Sequence, residues 1–92
     1  IDTTAVEVTN TVYVIAERDH QKEALRLVEA ALESAEYSTR DLVVHAFGDD
    51  AVEIEVVLLA TGVDGDELDR ITRQLAEQPF VSQAFWSPST TE

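Results

Sequence analysis

Apolar and polar residues alternate along the chain from Val6 onward, a pattern typical of a strand with one buried face. One parity is apolar almost throughout: Val6, Val8, Val12, Val14 and Ala16. Tyr13 and Ile15 fall on the other parity, so we expect partial cover on the second face. The period then changes in RDHQKEALRLVEAALESAEY, where apolar residues recur every three or four positions. This spacing predicts an amphipathic helix of about four turns, with Asp19 as its N-cap.

The middle of the chain contains two apolar runs separated by residues 48–50, GDD, which predicts a hairpin with a tight turn. A three-residue turn sets a register in which one side of the hairpin is wholly apolar. The other side then pairs His45 with Glu53 and Val43 with Glu55, as in a half-solvated sheet. A four-residue turn would shift the register by one and mix the two faces, so the pattern favours three.

Apolar residues return to helical spacing from about Gly65 to Gln78, which predicts a second helix that Pro79 stops. The stretch FVSQAFW after it predicts a short final strand. That strand carries Trp86, which we expect to pack in the core or at its rim.

The element order is strand, helix, strand, strand, helix, strand. With right-handed crossovers and a central hairpin, this order predicts an α+β domain with a four-stranded antiparallel sheet and both helices on one face. Such a βαββαβ arrangement is ferredoxin-like, the architecture that ACT domains share. The predicted bounds are a flexible segment at residues 1–10, the domain at 11–87 and a disordered tail at 88–92.

Residues 62–70, GVDGDELDR, are rich in acids and allow two interpretations, a divalent-cation loop or the start of the second helix. A calcium loop needs oxygen ligands at positions 1, 3, 5, 7, 9 and 12 and glycine at 6. Counted from Asp64, the glycine falls at position 2 and leucines fall at 5 and 12, so the spacing fails. As a helix start, Asp64 caps the first turn and Glu67 reaches back to its amide in a capping box. Val63 and Leu68 are spaced as the matching hydrophobic staple.

The composition excludes several classes of function. The chain has 92 residues and a formal net charge of −13, with six bases that form no dense run, so it should repel nucleic acid and anionic lipid. It has no cysteine, which excludes disulfides, thiolate metal sites and a cysteine nucleophile. The chain contains no apolar run of about 18 residues, which is the length that would predict a membrane span. Because the chain begins at Ile1 without a leader pattern, we expect a fragment of a longer protein.

The remaining polar groups give no catalytic, cofactor-binding or metal-binding pattern. His20 and His45 lie on different predicted elements without the spacing of metal ligands. We expect His45 to pair with Glu53 across the hairpin, and a pH-sensing role is the alternative. Asp49 and Asp50 fit a turn, and their carboxylates would hold Mg²⁺ only weakly. No nucleophile elbow or phosphate-binding loop is present, so we predict no enzymatic activity.

A candidate interaction surface lies on the sheet face turned away from the helices, which we call the open face. Its predicted members are Tyr13, Ile15, Val43, His45 and Phe47. Val57 and Leu59 are expected to share the same face. They make this face more apolar than a fully hydrated sheet face requires, as docking or self-association would. The alternative is a set of scattered surface hydrophobic residues with no binding role.

The chain resembles the C-terminal cytoplasmic domain of the MgtC family of bacterial inner-membrane proteins. The features that carry the resemblance are the start Tyr13-Val14-Ile15, the stretch VEIEVVLLATG and the ending FVSQAFW, within residues 12 to 87. The resemblance implies an ACT-like domain appended to a bundle of transmembrane helices. It also implies a role in growth at low magnesium and in survival inside macrophages, through modulation of membrane proteins such as the F-type ATP synthase. The characteristic membrane residues of the family lie outside this chain, so no functional residue carries over.

Two hypotheses follow. The first is a non-catalytic regulatory domain at the cytoplasmic face of the inner membrane, which contacts the transmembrane part of the same protein, another membrane protein or a second copy. The second is a ligand-sensing ACT-type domain that binds Mg²⁺ or an amino acid. ACT domains that bind amino acids usually carry a glycine after the first strand, whereas residues 16–21 here read AERDHQ. The missing glycine argues against amino-acid binding, because a close backbone approach to a small ligand is harder.

Overall fold

The predicted order of strands and helices is confirmed by a computed structural model, which describes residues 7–59 and 63–91. Its elements are β1 (Glu7–Glu17), α1 (Gln21–Ser34), β2 (Thr39–Phe47), β3 (Ala51–Leu58), α2 (Gly65–Ala76) and β4 (Val81–Thr91). A 3-10 turn, Arg18–His20, joins β1 to α1. The strands form one sheet in the order β2-β3-β1-β4, and every neighbouring pair is antiparallel.

The core lies between the two helices and one face of the sheet. The sheet contributes side chains of alternating residues that are essentially inaccessible: Val12, Val14, Ile54, Val56 and Leu58. The helices contribute Val28 and Leu32 from α1 and Leu68, Ile71 and Leu75 from α2. Each helix therefore buries one apolar stripe, as the helical periodicity predicts. This packing leaves the opposite face of the sheet, the open face, without a covering helix.

The predicted hairpin register is confirmed. Phe47 lies opposite Ala51, His45 opposite Glu53 and Val43 opposite Glu55. The three-residue turn works because Gly48 adopts a φ of 76°, in the left-handed region that glycine enters without steric cost.

The two glycines with described backbones should respond oppositely to alanine. Gly48→Ala is expected to lower the free energy of unfolding by about 1 kcal/mol, because its φ is unfavourable for any residue with a Cβ, even though the added atom would meet nothing within 4 Å. Gly65→Ala is expected to raise it by about 0.4–1 kcal/mol, because it lies inside α2 and its Cβ would make an ordinary contact 3.5 Å from the Trp86 ring. Urea denaturation of both variants measures this difference, and equal destabilisation would contradict it.

The start of α1 differs from the prediction, and Asp19 as N-cap is wrong. β1 runs directly into the 3-10 turn, and the cap position belongs to His20, which makes no side-chain capping bond. The His20 ring instead stacks on Phe80 with centroids 5.0 Å apart and planes 3° apart. The backbone amide of Arg18 donates to the carbonyl of Asp50, which fixes the turn against the hairpin.

α2 begins at Gly65, as predicted, and ends at Ala76, two positions before the predicted end. The last turn tightens, because the amides of Glu77 and Gln78 donate to carbonyls three residues back. A residue before proline disfavours the helical conformation, which accounts for the earlier end ahead of Pro79.

The ends of the chain also differ from the predicted bounds. β1 extends back to Glu7 and β4 extends forward to Thr91, and these two residues face each other in the register. Pro88 is compatible with this position because β4 is an edge strand, where proline in a sheet is usually found. Val8 continues the apolar alternation of β1 toward this end, whereas residues 87–91 of β4, SPSTT, have no apolar pattern, so only the pairing with β1 reveals the end of β4. Residues 1–6 and 92 of the predicted flexible ends lie outside the described residues.

Candidate interaction surface

The structure brings the five predicted surface residues together on the open face. The antiparallel registers place them in two adjacent rows across β2, β3 and β1, which are Val43–Glu55–Tyr13 and His45–Glu53–Ile15. Phe47 lies two positions beyond His45 on the same face of β2, opposite Ala51. Whether this surface docks a partner stays a prediction, but its members share one face of the sheet and lie on both sides of Glu53 and Glu55.

The members of this surface differ in accessibility. Val43 and Phe47 are 46% and 50% exposed, because β2 is an edge strand that neighbours cover on one side only. Ile15 is only 6% exposed although no helix covers it, so it forms the floor of the surface. The residues that a partner could touch are therefore those toward the edges.

Phe85 is a member of the open face that the sequence analysis missed. It lies opposite Tyr13 in the β1–β4 register and remains 42% exposed. The two rings stack with centroids 5.0 Å apart and planes 19° apart. Such aromatic pairs contribute about 0.5–1.5 kcal/mol beyond their burial. The alternation in FVSQAFW was the sequence signal for this position. Because Trp86 faces the helices, the neighbouring Phe85 must face the opposite side of the sheet.

His45, on the edge strand β2, lies close to two carboxylates of β3 on the open face. Its Nε2 lies 3.3 Å from Glu53 Oε1, which confirms the predicted cross-strand pair. The same nitrogen lies only 2.6 Å from Glu55 Oε2, a contact that the sequence analysis did not predict. In residues 7–59 and 63–91, these three side chains are the one group of His and acidic residues whose donor atoms could surround a metal ion.

The other acidic candidates behave as turn residues. Asp49 and Asp50 are exposed in the hairpin turn, and neither carboxylate joins a group with metal-binding geometry within the described part of the chain. His20 also has two acidic neighbours, but they approach different ring nitrogens. Glu17 lies 3.2 Å from Nδ1 and Glu23 lies 4.0 Å from Nε2.

The acid-rich stretch at the start of α2 is a helix cap, as predicted. Asp64 Oδ1 accepts from the amides of Asp66 at 3.0 Å and Glu67 at 3.4 Å. The predicted return bond from Glu67 to the Asp64 amide is wrong. The hydroxyl of Tyr37 stands between them, since it accepts from the Asp64 amide at 3.2 Å and donates to Glu67 Oε1 at 3.1 Å. A side chain 27 residues away thus completes the capping box.

Burial raises the pKa of Tyr37, and the hydrogen bond to the Glu67 carboxylate raises it further, while the bond from the Asp64 amide acts in the opposite direction. The neutral phenol is therefore the form that the fold prefers. Its contribution to stability is complete below the ordinary pKa of tyrosine and is lost as the pH rises through the raised value.

Trp86 packs at the rim of the core, as predicted. Its ring lies against Gly65 at the start of α2, and its indole Nε1 donates to Asp69 Oδ1 at 2.8 Å. Trp86 therefore ties β4 to α2 on the helical face, away from the candidate interaction surface.

Solved structures define the class of this fold as ACT-like. The ACT domain of a GTP pyrophosphokinase from Chlorobium tepidum superposes with a TM-score of 0.64 at 10% identity, over 90% of this chain and 100% of that one. The CPII protein of Thiomonas intermedia, solved with ADP, AMP and acetate, superposes with a TM-score of 0.58 at 16% identity, over 97% of this chain and 93% of that one. The C-terminal domain of MgtC from Mycobacterium tuberculosis superposes with a TM-score of 0.80 at 20% identity, over 97% of this chain and 94% of that one.

The family model for the MgtC/SapB C-terminal domain matches residues 11–86, and the chain belongs to this family. The resemblance drawn from the sequence is thus confirmed. Comparison with curated protein sequences yields no match. Among the described helices, none is both long and apolar enough to cross a bilayer.

Proposed function

We propose that this domain is a non-catalytic regulatory module that acts by binding protein through the open face. The observation that carries the proposal is the gathering of apolar and aromatic side chains on one side of the sheet, on both sides of the two glutamates of β3. Val43, Phe47 and Phe85 are each more than 40% exposed there, while the opposite face is buried by both helices. Exposed apolar groups gathered on one face are typical of docking surfaces.

The charged groove at the start of α2 does not suit a small apolar ligand. The groove at the start of α2 is lined by charged side chains only: Asp64, Asp66, Glu67, Asp69, Arg70 and Arg73. Small-molecule sites are usually enclosed and mostly apolar, with a few convergent polar groups. An open and charged groove lacks the apolar lining that such a ligand would bury.

The partner that we propose is the transmembrane part of the same protein, at the cytoplasmic face of the bacterial inner membrane. The family is defined as a C-terminal domain, so a member domain is tethered to whatever precedes it. A short linker raises the effective concentration of the attached partner to about the millimolar range. At that concentration even weak docking takes place. Another membrane protein or a second copy of the domain are the competing occupants. We further propose that the whole protein supports growth at low magnesium and survival in macrophages.

Introduction of a negative charge on the open face tests this proposal in the full-length protein. Phe47→Glu and Phe85→Glu place a carboxylate on the surface, whereas Ala30→Glu adds the same charge to an exposed position on α1. We expect the first two variants to reduce growth in low magnesium to the level of a domain deletion, and Ala30→Glu to leave it unchanged. A photo-crosslinking residue at position 47 should mark the transmembrane part.

Several outcomes would count against the proposal. Loss of the domain without any effect on growth in low magnesium would remove the regulatory role. Equal behaviour of Phe47→Glu and Ala30→Glu would remove the open face as the docking surface. Crosslinks to a second copy or to another membrane protein would keep the surface and replace the proposed partner.

A further inference from the structure

Three side chains lie close together on the open face, between the edge strand β2 and its neighbour β3. His45 projects from β2, and Glu53 and Glu55 project from β3 two positions apart on the same face. One donor atom from each residue lies within 4.8 Å of the other two. The side chains of Glu53 and Glu55 are 17% and 32% exposed, so both carboxylates are partly shielded from water.

We propose that His45, Glu53 and Glu55 form a binding site for a borderline divalent transition-metal ion, with zinc as the representative. One imidazole nitrogen and two carboxylate oxygens form a donor set that zinc accepts, at bond lengths of about 2.0–2.2 Å. Mg²⁺ prefers oxygen ligands in octahedral geometry and does not suit the imidazole. This is a different ion from the one that the low-magnesium role would suggest.

The distances fit such an ion with a small adjustment. Ligand atoms around tetrahedral zinc lie about 3.3–3.5 Å apart, given the bond lengths above. The Nε2–Oε1 distance of 3.3 Å between His45 and Glu53 already matches this value. The 2.6 Å contact to Glu55 is a hydrogen bond, whose proton a bound zinc ion would displace to solvent. The two atoms must then separate by about 0.7 Å to reach the same spacing. Rotation of the partly exposed Glu55 side chain suffices for this change.

The electrostatics favour the same ligand. Two carboxylates held close together repel each other, and the chain as a whole carries a formal charge of −13. A divalent cation between them removes that repulsion and forms bonds to both. The His45 side chain is 47% exposed, so the fourth position of the ion would face solvent. Three protein ligands with one open position are typical of exchangeable and catalytic zinc sites, unlike closed structural ones.

The second histidine provides a matched control within the same chain. His20 also has two glutamates close by, but Glu17 approaches Nδ1 and Glu23 approaches Nε2. Because the two ring nitrogens point in different directions, one ion cannot bind all three residues. His20 therefore reproduces the composition of the proposed site without its geometry.

Titration of the 92-residue chain with zinc chloride, followed by calorimetry and amide NMR, tests the proposal. We expect one saturable site, with shifts concentrated at His45 and at Glu53 to Glu55. Loss of an outer-shell partner already weakens metal binding about 10–100-fold, so His45→Ala should weaken it by at least about tenfold. Glu55→Gln, which keeps shape and removes charge, should weaken it too, and His20→Ala should leave it unchanged. Mg²⁺ at matched ionic strength should not displace the zinc.

The opposite results would overturn the site. Zinc affinity in His45→Ala equal to that of the unmodified chain would do so, as would shifts spread evenly over the acidic surface. Loss of binding in His20→Ala would move the site away from the open face. An amide spectrum that is unchanged away from the substituted residue and its contacts shows that each variant is folded, and Glu55→Gln gives an independent test if His45→Ala is not. The measurement does not involve a protein partner, so its failure leaves the proposed docking function standing.

Discussion

Leu68→Ala is expected to lower the free energy of unfolding by about 3–5 kcal/mol, the range typical of a large aliphatic side chain truncated in a packed core. Leu68 lies in the first turns of α2 and is fully inaccessible within the core that joins both helices to the sheet. Its removal costs the transfer free energy of the lost methyl groups and leaves a cavity that the surrounding strands can fill only in part. Small domains have a total stability of about 5–15 kcal/mol, so this variant should be close to unfolding at moderate temperature.

Urea denaturation followed by tryptophan fluorescence measures this loss, since Trp86 packs against the same helix. Leu59→Ala is the matched control, because Leu59 is 59% exposed and its truncation should change stability by less than about 0.5 kcal/mol. Leu68→Met, which conserves volume, should cost less than about 1.5 kcal/mol and gives a folded reference if the alanine variant does not fold. Similar losses in Leu59→Ala and Leu68→Ala would contradict the assignment of the core.

Asp64→Ala is expected to lower the free energy of unfolding by about 1–2 kcal/mol, from the lost cap and the lost charge near the helix N-terminus. The Asp64 carboxylate accepts from the amides of Asp66 and Glu67, and no other acceptor is found for these two donors among the described side chains. Without it, both amides must rely on water.

Asp64→Asn separates the two contributions to the cap. Asparagine removes the same charge but keeps an oxygen that can accept from the helix amides, so we expect it to retain most of the stability that Asp64→Ala loses. Thermal denaturation of the three proteins at the same ionic strength measures the difference. Equal losses in the alanine and asparagine variants would show that charge, and not the capping geometry, is what Asp64 contributes.

The sequence predicted local structure most successfully where one segment carried the whole signal. The hairpin is the best case, because Gly48 and the alternation on both strands fixed the turn and the register together. The cap at Asp64 is another, since the spacing of acids and apolar residues in GVDGDELDR suits a helix start and fails as a calcium loop. Each of these depends on neighbours within a few positions, where steric and hydrogen-bonding rules act directly.

Prediction failed where distant segments meet. Asp19 does not cap α1, because β1 continues into a 3-10 turn that is hydrogen-bonded to the hairpin. The bond expected from Glu67 was replaced by Tyr37, which reaches the start of α2 from the loop before β2. The end of β4 has no apolar pattern of its own and forms a strand because the fold places it beside β1. Phe85 is a different case, because the alternation in FVSQAFW already indicated its face, and only its stacking on Tyr13 depends on the pairing of the two strands.

The sequence by itself determined the α+β class, the βαββαβ order, the hairpin register and the membership of the open face from β1 to β3, and its resemblance to known proteins indicated the family. All but the family follow from period, turn chemistry and local spacing, which act between near neighbours in the chain. Only the tertiary structure decided that Phe85 stacks on Tyr13, that Tyr37 enters the cap at Asp64, and that Glu55 joins Glu53 around His45. Contacts of this kind depend on ångström-scale positions of side chains from separate elements, and the packing of the whole domain sets those positions.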